Sequence, residues 1–440
     1  MAVSTIRFLG AAQDVSDIWT YTIGGTPAAT NTAWLELNNK RLTLTLGTDV
    51  TTTDVAQELA AMINATVNNA TTKVGAYSDE TWNVAGQTVP EWTEVSATSS
   101  GAVLTLTGAA GVPIQGHVTV GVTGGGVTIS SASSVQTATG KHFWDNAANW
   151  EGGVVPAKDS AGNLLGDTAL FDSGGVDVKY ALNNTEENIS IIRTLGYTGD
   201  IGLPPVNLLG YKEYRQQKLD APIYDSVDSV QTILIGETGS AVLAKGITRI
   251  DLGADTSNLN YPTVTVLDSA ASSPTDGESV QISGGTKTRL TVRKGSVSLG
   301  MDRTANTSYL YSTLYIGSMD EDCTVRLGPN SSVPSALSGE QYGGKLYLNG
   351  TITGLTMLVK SGTCYQLSGA LVAATVYSKA KLALQGGSCA GAITMKSGST
   401  LSVESAGTYS GATLSQAVGS TLSDPFGLLS LSGGAATVPV

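Results

Sequence analysis

Four consecutive blocks of the chain read LYLNGTITGLTMLVKSGT (residues 346–363), CYQLSGALVAATVYSKAK (364–381), LALQGGSCAGAITMKSGST (382–400) and LSVESAGTYSGATLSQAVGS (401–420). Each opens on an apolar residue, Leu346, Cys364, Leu382 and Leu401, at spacings of 18, 18 and 19. Thr356, Thr375, Thr394 and Thr413 recur every 19 residues, each followed by an apolar neighbour: Met357, Val376, Met395 and Leu414. Ile352, Leu371, Cys389 and Tyr409 make a further column at 19, 18 and 20. A period near 19 with three apolar columns predicts a chain wound in coils, each stacked on the one before. The expected fold is therefore mainly β, with a parallel β-helix solenoid as its body and its most regular coils at 346–423. Leu346, Ile352, Leu358, Cys364, Ala370, Val376 and Leu382 also recur every six residues, as in a left-handed hexapeptide helix. Uneven spacing upstream and the scarcity of glycines before inward positions favour the right-handed form.

Upstream of these blocks the same alternation continues less evenly. Gln231–Ile235, Thr248–Leu252, Thr263–Leu267, Arg289–Val292, Ser296–Leu299, Thr313–Ile316 and Thr324–Leu327 all read as strands. The body is expected to span 231–440, ending in an apolar tail, Gly427 to Val440, suited to packing. Residues 1–135 read as a small α+β attachment module. Its strands are Trp19–Ile23, Ala33–Leu37, Arg41–Leu46, Thr93–Ala97, Ala102–Leu106 and His117–Val122. Its helix is Thr51–Asn64, with Val55, Leu59, Met62 and Ile63 on one face and a capping signal at Thr51 and Asp54. Gly124–Thr139, rich in Gly, Ser and Thr, reads as a linker. Residues 136–230 form a transition, in which Trp144 and Trp150 stand six apart around Asp145, Asn146 and Asn149. Two such indoles can plate the open end of a β core, with Asn and Asp bonding their own backbone in tight turns. They could instead form an aromatic sugar-binding platform.

The segment Trp144-Asp-Asn-Ala-Ala-Asn-Trp150-x-Gly-Gly-x-x-Pro156, followed by Gly166-Asp167, resembles the opening of β-helical surface proteins, among them bacterial autotransporter adhesins and a family of tailed-phage virion proteins. Ile201-Gly-Leu-Pro204 and Tyr211-Lys-Glu-Tyr-Arg215 resemble the phage family more specifically. The resemblance implies a virion structural protein: a capsid decoration or cement protein, a head fibre or a tailspike. Decoration on the outer surface of the head is the function expected, with self-association as a homotrimer and contact with the major capsid protein or other virion proteins. The alternative is a tailspike that binds or cleaves host cell-surface glycan. The start of the chain shows no signal peptide, which turns the expectation away from autotransporters.

Composition narrows the function further. The chain of 440 residues has 53 glycines, only 14% charged residues and a net charge of −12 without a basic run. Phosphate-dominated nucleic-acid binding and membrane spanning are not expected. Cys323, Cys364 and Cys389 lack CxxC spacing, and two of them fall in apolar columns, so they read as small core residues. His117 and His142 accompany no nucleophile motif, and no HExxH, P-loop or dinucleotide signature occurs. The expectation is a protein without cofactor, metal or catalytic residues. If the flank cleaved glycans, paired carboxylates from adjacent coils would do it. The candidates are Asp251, Asp255, Asp268, Asp276, Glu278 and the run Asp320-Glu-Asp322. All of them also suit solvated turns.

Overall fold

The computed structural model describes residues 4–48, 50–65, 72–74, 81–83, 90–157, 166–184, 189–205, 211–221, 232–237, 246–252, 262–271, 277–284, 288–301, 308–316, 323–333, 337–352, 355–389, 391–405, 413–429 and 435–438. The protein is mainly β, with one α-helix among the described residues. From Thr168 onward the chain passes back and forth between two sheets of parallel strands. Sixteen described strands make the longer sheet, which runs from Thr5–Arg7 and Thr168–Phe171 to Ala435–Val438. Ten make the shorter one, from Leu219–Ala221 to Thr421–Ser423.

The alternation in the sequence dictates this arrangement. In Cys323–Leu327 every second residue is buried while Thr324 and Arg326 are half-exposed, because successive side chains of a strand leave opposite faces. The inward residues of both sheets belong to one apolar core. Its spine is an in-register column, Val280, Val297, Val325, Leu346, Cys364, Leu382 and Leu401. Each of these is at most 1% exposed. Truncating one, as in Leu382→Ala, is expected to cost about 2–5 kcal/mol.

The column that opens the blocks at 346, 364, 382 and 401 is thus correct, and it extends upstream of 346. The threonine column is not. Thr375 pairs with Thr394, but Thr356 pairs with Ala373 and Thr413 with Ala392. A bulge between Leu355 and Thr356 leaves the half-exposed Val372 unmatched, and the connection between Thr394 and its true partner Ser415 is two residues longer than the period. Met357 accordingly joins Ala374, Ile393 and Leu414, while Val376 joins Val359 and Met395. Both slips are of two residues, which keeps every side chain on its expected face. In the third column Leu371 and Cys389 pair, Ile352 pairs with Val333, and Tyr409 lies outside the described residues. The six-residue pattern does not define the inward face: Leu358 sits between the buried Met357 and Val359 on the opposite side of its strand.

The N-terminal module holds more than the single small sheet expected. It has two antiparallel five-stranded sheets and the helix, packed around one core. One sheet runs Val127–Ile129, Ile18–Gly25, Val103–Gly108, Val95–Ser100, with Ser133–Gln136 also bonded to Ile18–Gly25. The other runs Thr72–Val74, Thr81–Asn83, Lys40–Thr45, Thr32–Leu37, Val118–Thr123. The helix, Thr52–Ala65, starts at a capping box: Asp54 Oδ2 accepts from Thr51 N at 2.8 Å, and Thr51 Oγ1 accepts from Asp54 N at 3.3 Å. The expected linker is two strands, because Val127 and Ile129 alternate with polar residues and Gly24, Gly25 and Gly126 permit close antiparallel approach.

The boundary near 135 divides the polypeptide but not the fold. Thr5–Arg7 runs parallel to Thr168–Phe171 as the first strand of the longer sheet. From Thr5–Arg7 in the longer sheet the chain therefore passes into the module and returns to the same sheet at Thr168. Thr168–Phe171 and Ser190–Thr194, expected in a transition region, are strands of the same sheet.

Candidate functional site

At the start of the longer sheet, five aromatic rings gather. Trp144 and Trp150 meet edge to face at 4.8 Å, Trp150 meets Phe8 at 5.2 Å, and Phe171 meets Phe8 at 5.3 Å and Tyr197 at 5.1 Å. Both tryptophans are 1% exposed, which leaves no face for a sugar and removes the platform reading. Asn149, fully buried, ties the segment down. Its side chain donates to the carbonyls of Gly140 and Phe143, both at 2.8 Å, and accepts from Ala12 N at 2.9 Å. Trp150 Nε1 donates to Trp144 O at 2.7 Å, and Phe8 bridges Trp150 in antiparallel fashion. Phe8 and Ala12 are thereby tied to the segment that carries the indoles.

Tyr211–Arg215 fastens the module to the body. Arg215, 8% exposed, donates to both oxygens of Glu213 (2.7 and 3.0 Å), to Tyr211 Oη (2.8 Å), and to Glu94 Oε1 of the module (3.2 Å). Its guanidinium lies 5.1 Å from the ring centre of Tyr180 and 4.9 Å from that of Tyr214. Asn38 of the module donates to Lys212 O at 3.0 Å. His117 meets Tyr214 edge on at 5.0 Å, and burial, aided by Arg215, holds its imidazole below the usual histidine range. A buried, fully hydrogen-bonded cation at such a joint fixes geometry, since any other arrangement would leave charge unpaired away from water.

The carboxylate candidates are scattered. Glu278, buried, pairs with Arg326 at 2.6 Å. Asp268 lies 3.8 Å from Lys294. Asp255, Asp276 and Asp320–Asp322 lie outside the described residues. Asp251 sits beside Asp220 on the neighbouring strand, and burial raises the Asp220 carboxyl pKa. Sequence reading missed Asp220 because its partner is 31 positions away, across a connection of irregular length. His142 Nδ1 lies 2.8 Å from Asp177 O. All three cysteines are free and buried, and burial pushes the Cys364 thiol up to about 12. No group of three or more potential metal ligands occurs among the described residues. No helix among them is long and apolar enough to cross a membrane.

A groove of about 550 Å³ runs across the shorter sheet, along the line where its strands begin. Ser296, Thr324, Lys345 and Thr363 are successive register partners on four neighbouring strands and form its floor. At about 4.8 Å between strands, these cover about 14 Å. Gly295 and Gly344 let the turns stack closely there. Both have positive φ, and a Cβ would stand 2.5 Å from Ser269 O at the first and 2.2 Å from Cys323 O at the second. Lys294 and Lys345 line the groove, and among the described residues no acidic side chain does. Two residues further along the same face, the Arg326 guanidinium covers Tyr347 at 4.0 Å, and Tyr347 stacks on Tyr365 at 4.7 Å, nearly parallel. Upstream of Lys345 these columns were hidden in the sequence because the spacings of 28 and 21 residues differ from the 18 between Lys345 and Thr363. No protein-family model matches the chain, and no curated protein or solved structure is significantly similar to it.

Proposed function

We propose that the two parallel sheets are walls of one right-handed β-helix, and that the protein is a non-enzymatic structural component of a tailed-phage virion, a decoration protein on the outer surface of the head. The observation that carries this reading is continuity: parallel strand adds to strand from Thr5 to Val438, and buried residues from Ile6 to Leu414 share one core. Its first strands lie against buried indoles, and a buried arginine clamps the module to it. Such a body resists shear and proteolysis, because each strand is bonded along its length to the next. In this reading the module attaches to the major capsid protein or its neighbours, Trp144 and Trp150 cap the body, and three copies associate. Quantifying the protein per virion against the major capsid protein tests the placement: hundreds of copies are expected, and a few copies would contradict it. Light scattering tests the association, with a trimer expected and a monomer at micromolar concentration contradicting it.

A second reading, a glycan-cleaving tailspike, is favoured by the Asp220 and Asp251 neighbours alone. Strands about 4.8 Å apart can bring two carboxylates to the separation of a retaining glycosidase. Neither residue lines the groove, however. Incubation with host capsule or lipopolysaccharide separates the two readings. Oligosaccharide release that disappears in Asp251→Asn supports cleavage, and no release supports the structural reading.

A further inference from the structure

We infer that the groove at the strand starts of the shorter sheet binds an extended anionic glycan, held by Lys345 and Lys294 over a hydroxyl-rich floor. Three observations converge on this. The protein has a net charge of −12, yet among the described residues the lining of this groove holds two lysines and no carboxylate. Lys345 is exposed and makes no ion pair among the described residues, while Lys294 reaches Asp268 only at 3.8 Å. By contrast Lys381, two strands further on in the same outward column, is paired with Glu404 at 2.6 Å.

The shape selects a polymer. The floor repeats with the strand spacing of about 4.8 Å, close to the advance of one sugar in an extended glycan. Thr324 and Thr363 offer a hydroxyl on alternate strands, with Lys345 between them. The same column continues through Lys381 and Thr400 to Thr421, so a chain longer than the groove would still meet polar side chains. An acidic peptide is a poorer fit. A peptide gains affinity by adding a strand to a free sheet edge, whereas this groove crosses strands that already have partners on both sides. Nucleic acid is poorer still, since two lysines on a strongly acidic protein cannot replace the counterions of a phosphate backbone. The neighbouring Tyr347 and Tyr365 stack adds an aromatic wall beside the hydroxyls, the combination that suits a ligand with polar edges and apolar faces. This chemistry is independent of the protein's place in a particle.

The test is calorimetric titration of the full chain with an oligogalacturonate hexamer, with maltohexaose as the neutral probe of equal length. Saturable binding of the anionic hexamer, at least about tenfold tighter than the neutral one and weakened by salt, is expected. Lys345→Glu should weaken it by a further factor of about ten or more, from lost attraction and new repulsion. Thr324→Trp, which fills the floor, should abolish it, and unchanged melting curves should show both variants folded. Should Lys345→Glu disturb folding, Lys294→Glu on the exposed turn provides the same reading. Absence of saturation up to about 10 mM, equal binding of the neutral hexamer, or binding that survives both a charge reversal and Thr324→Trp would overturn the inference.

Discussion

The two ends of the parallel body are built differently. At the first end, Trp144, Trp150, Phe8, Phe171 and Tyr197 pack ring against ring, and both indoles are all but inaccessible. At the last end no such cluster forms among the described residues. Thr421–Ser423 is exposed throughout, and Val418, Leu422 and Phe426 are 62%, 37% and 71% exposed. A stack of strands must cover its terminal apolar layer or present it. The first end does so with its own aromatic residues. At the second, Leu428 and Leu429 pack against the core while Val418, Leu422 and Phe426 stay exposed, the condition under which a further copy of the chain can cover them. The same type of residue should therefore matter for folding at one end and for association at the other.

The largest effect is expected at the sealed end. Trp150→Ala removes a ring that touches Trp144, Phe8 and Phe171, and should cost about 3–5 kcal/mol in chemical denaturation. Next comes the clamp beside it. Arg215→Met leaves Glu213, 6% exposed, without its cation, and should cost about 3 kcal/mol. Limited proteolysis should then release the module from an intact body, and joint unfolding of the two would count against an independent clamp.

Toward the open end the effects shrink. Hydrogen bonds from Lys381, then Gln385, hold the Glu404 carboxyl down to about 2 against its ordinary 4.5. A carboxylate with a depressed folded pKa stabilises fully above 4.5, and that contribution is lost as the pH falls toward 2. Glu404→Gln should therefore flatten the acid limb of the melting profile in that window. The effect should be small and weaker in salt, because the pair is partly exposed. The smallest change in monomer stability is expected from Phe426→Ser, within about 0.5 kcal/mol. If the open end is where copies meet, the same substitution should shift light scattering toward the monomer. A large loss of stability with unchanged association would erase the difference between the ends.

How much of this could be read in advance follows from where the register is set. The column through Leu346, Cys364, Leu382 and Leu401 was legible because the turns between those strands are nearly equal in length. The threonine column misled because a bulge at Val372 and a longer connection before Ser415 shifted it by two on each occasion. The strands at Val127–Ile129 and Ser133–Gln136 looked like a linker because glycine, serine and threonine also compose this protein's strands. The aromatic cluster could be located from Trp144 and Trp150, but its partner Phe8 lies 136 positions before Trp144, and local pattern cannot join them. The Arg215 clamp and the groove are likewise made of residues that meet only after the chain has folded, so their parts were legible and their assembly was not.

The stacking register carries the whole account, and one cross-linking measurement tests it. Cys364 and Leu382 are paired inward residues of adjacent parallel strands, which places their Cα atoms at about 4.8 Å, within the span a disulfide bridges. Leu384 lies on the same face but pairs with Gln366. In a background with Cys323→Ser and Cys389→Ala, oxidation followed by peptide mass spectrometry should find a Cys364 disulfide in Leu382→Cys and none in Leu384→Cys. A bond in the second variant and not the first would contradict the register, and with it the stack.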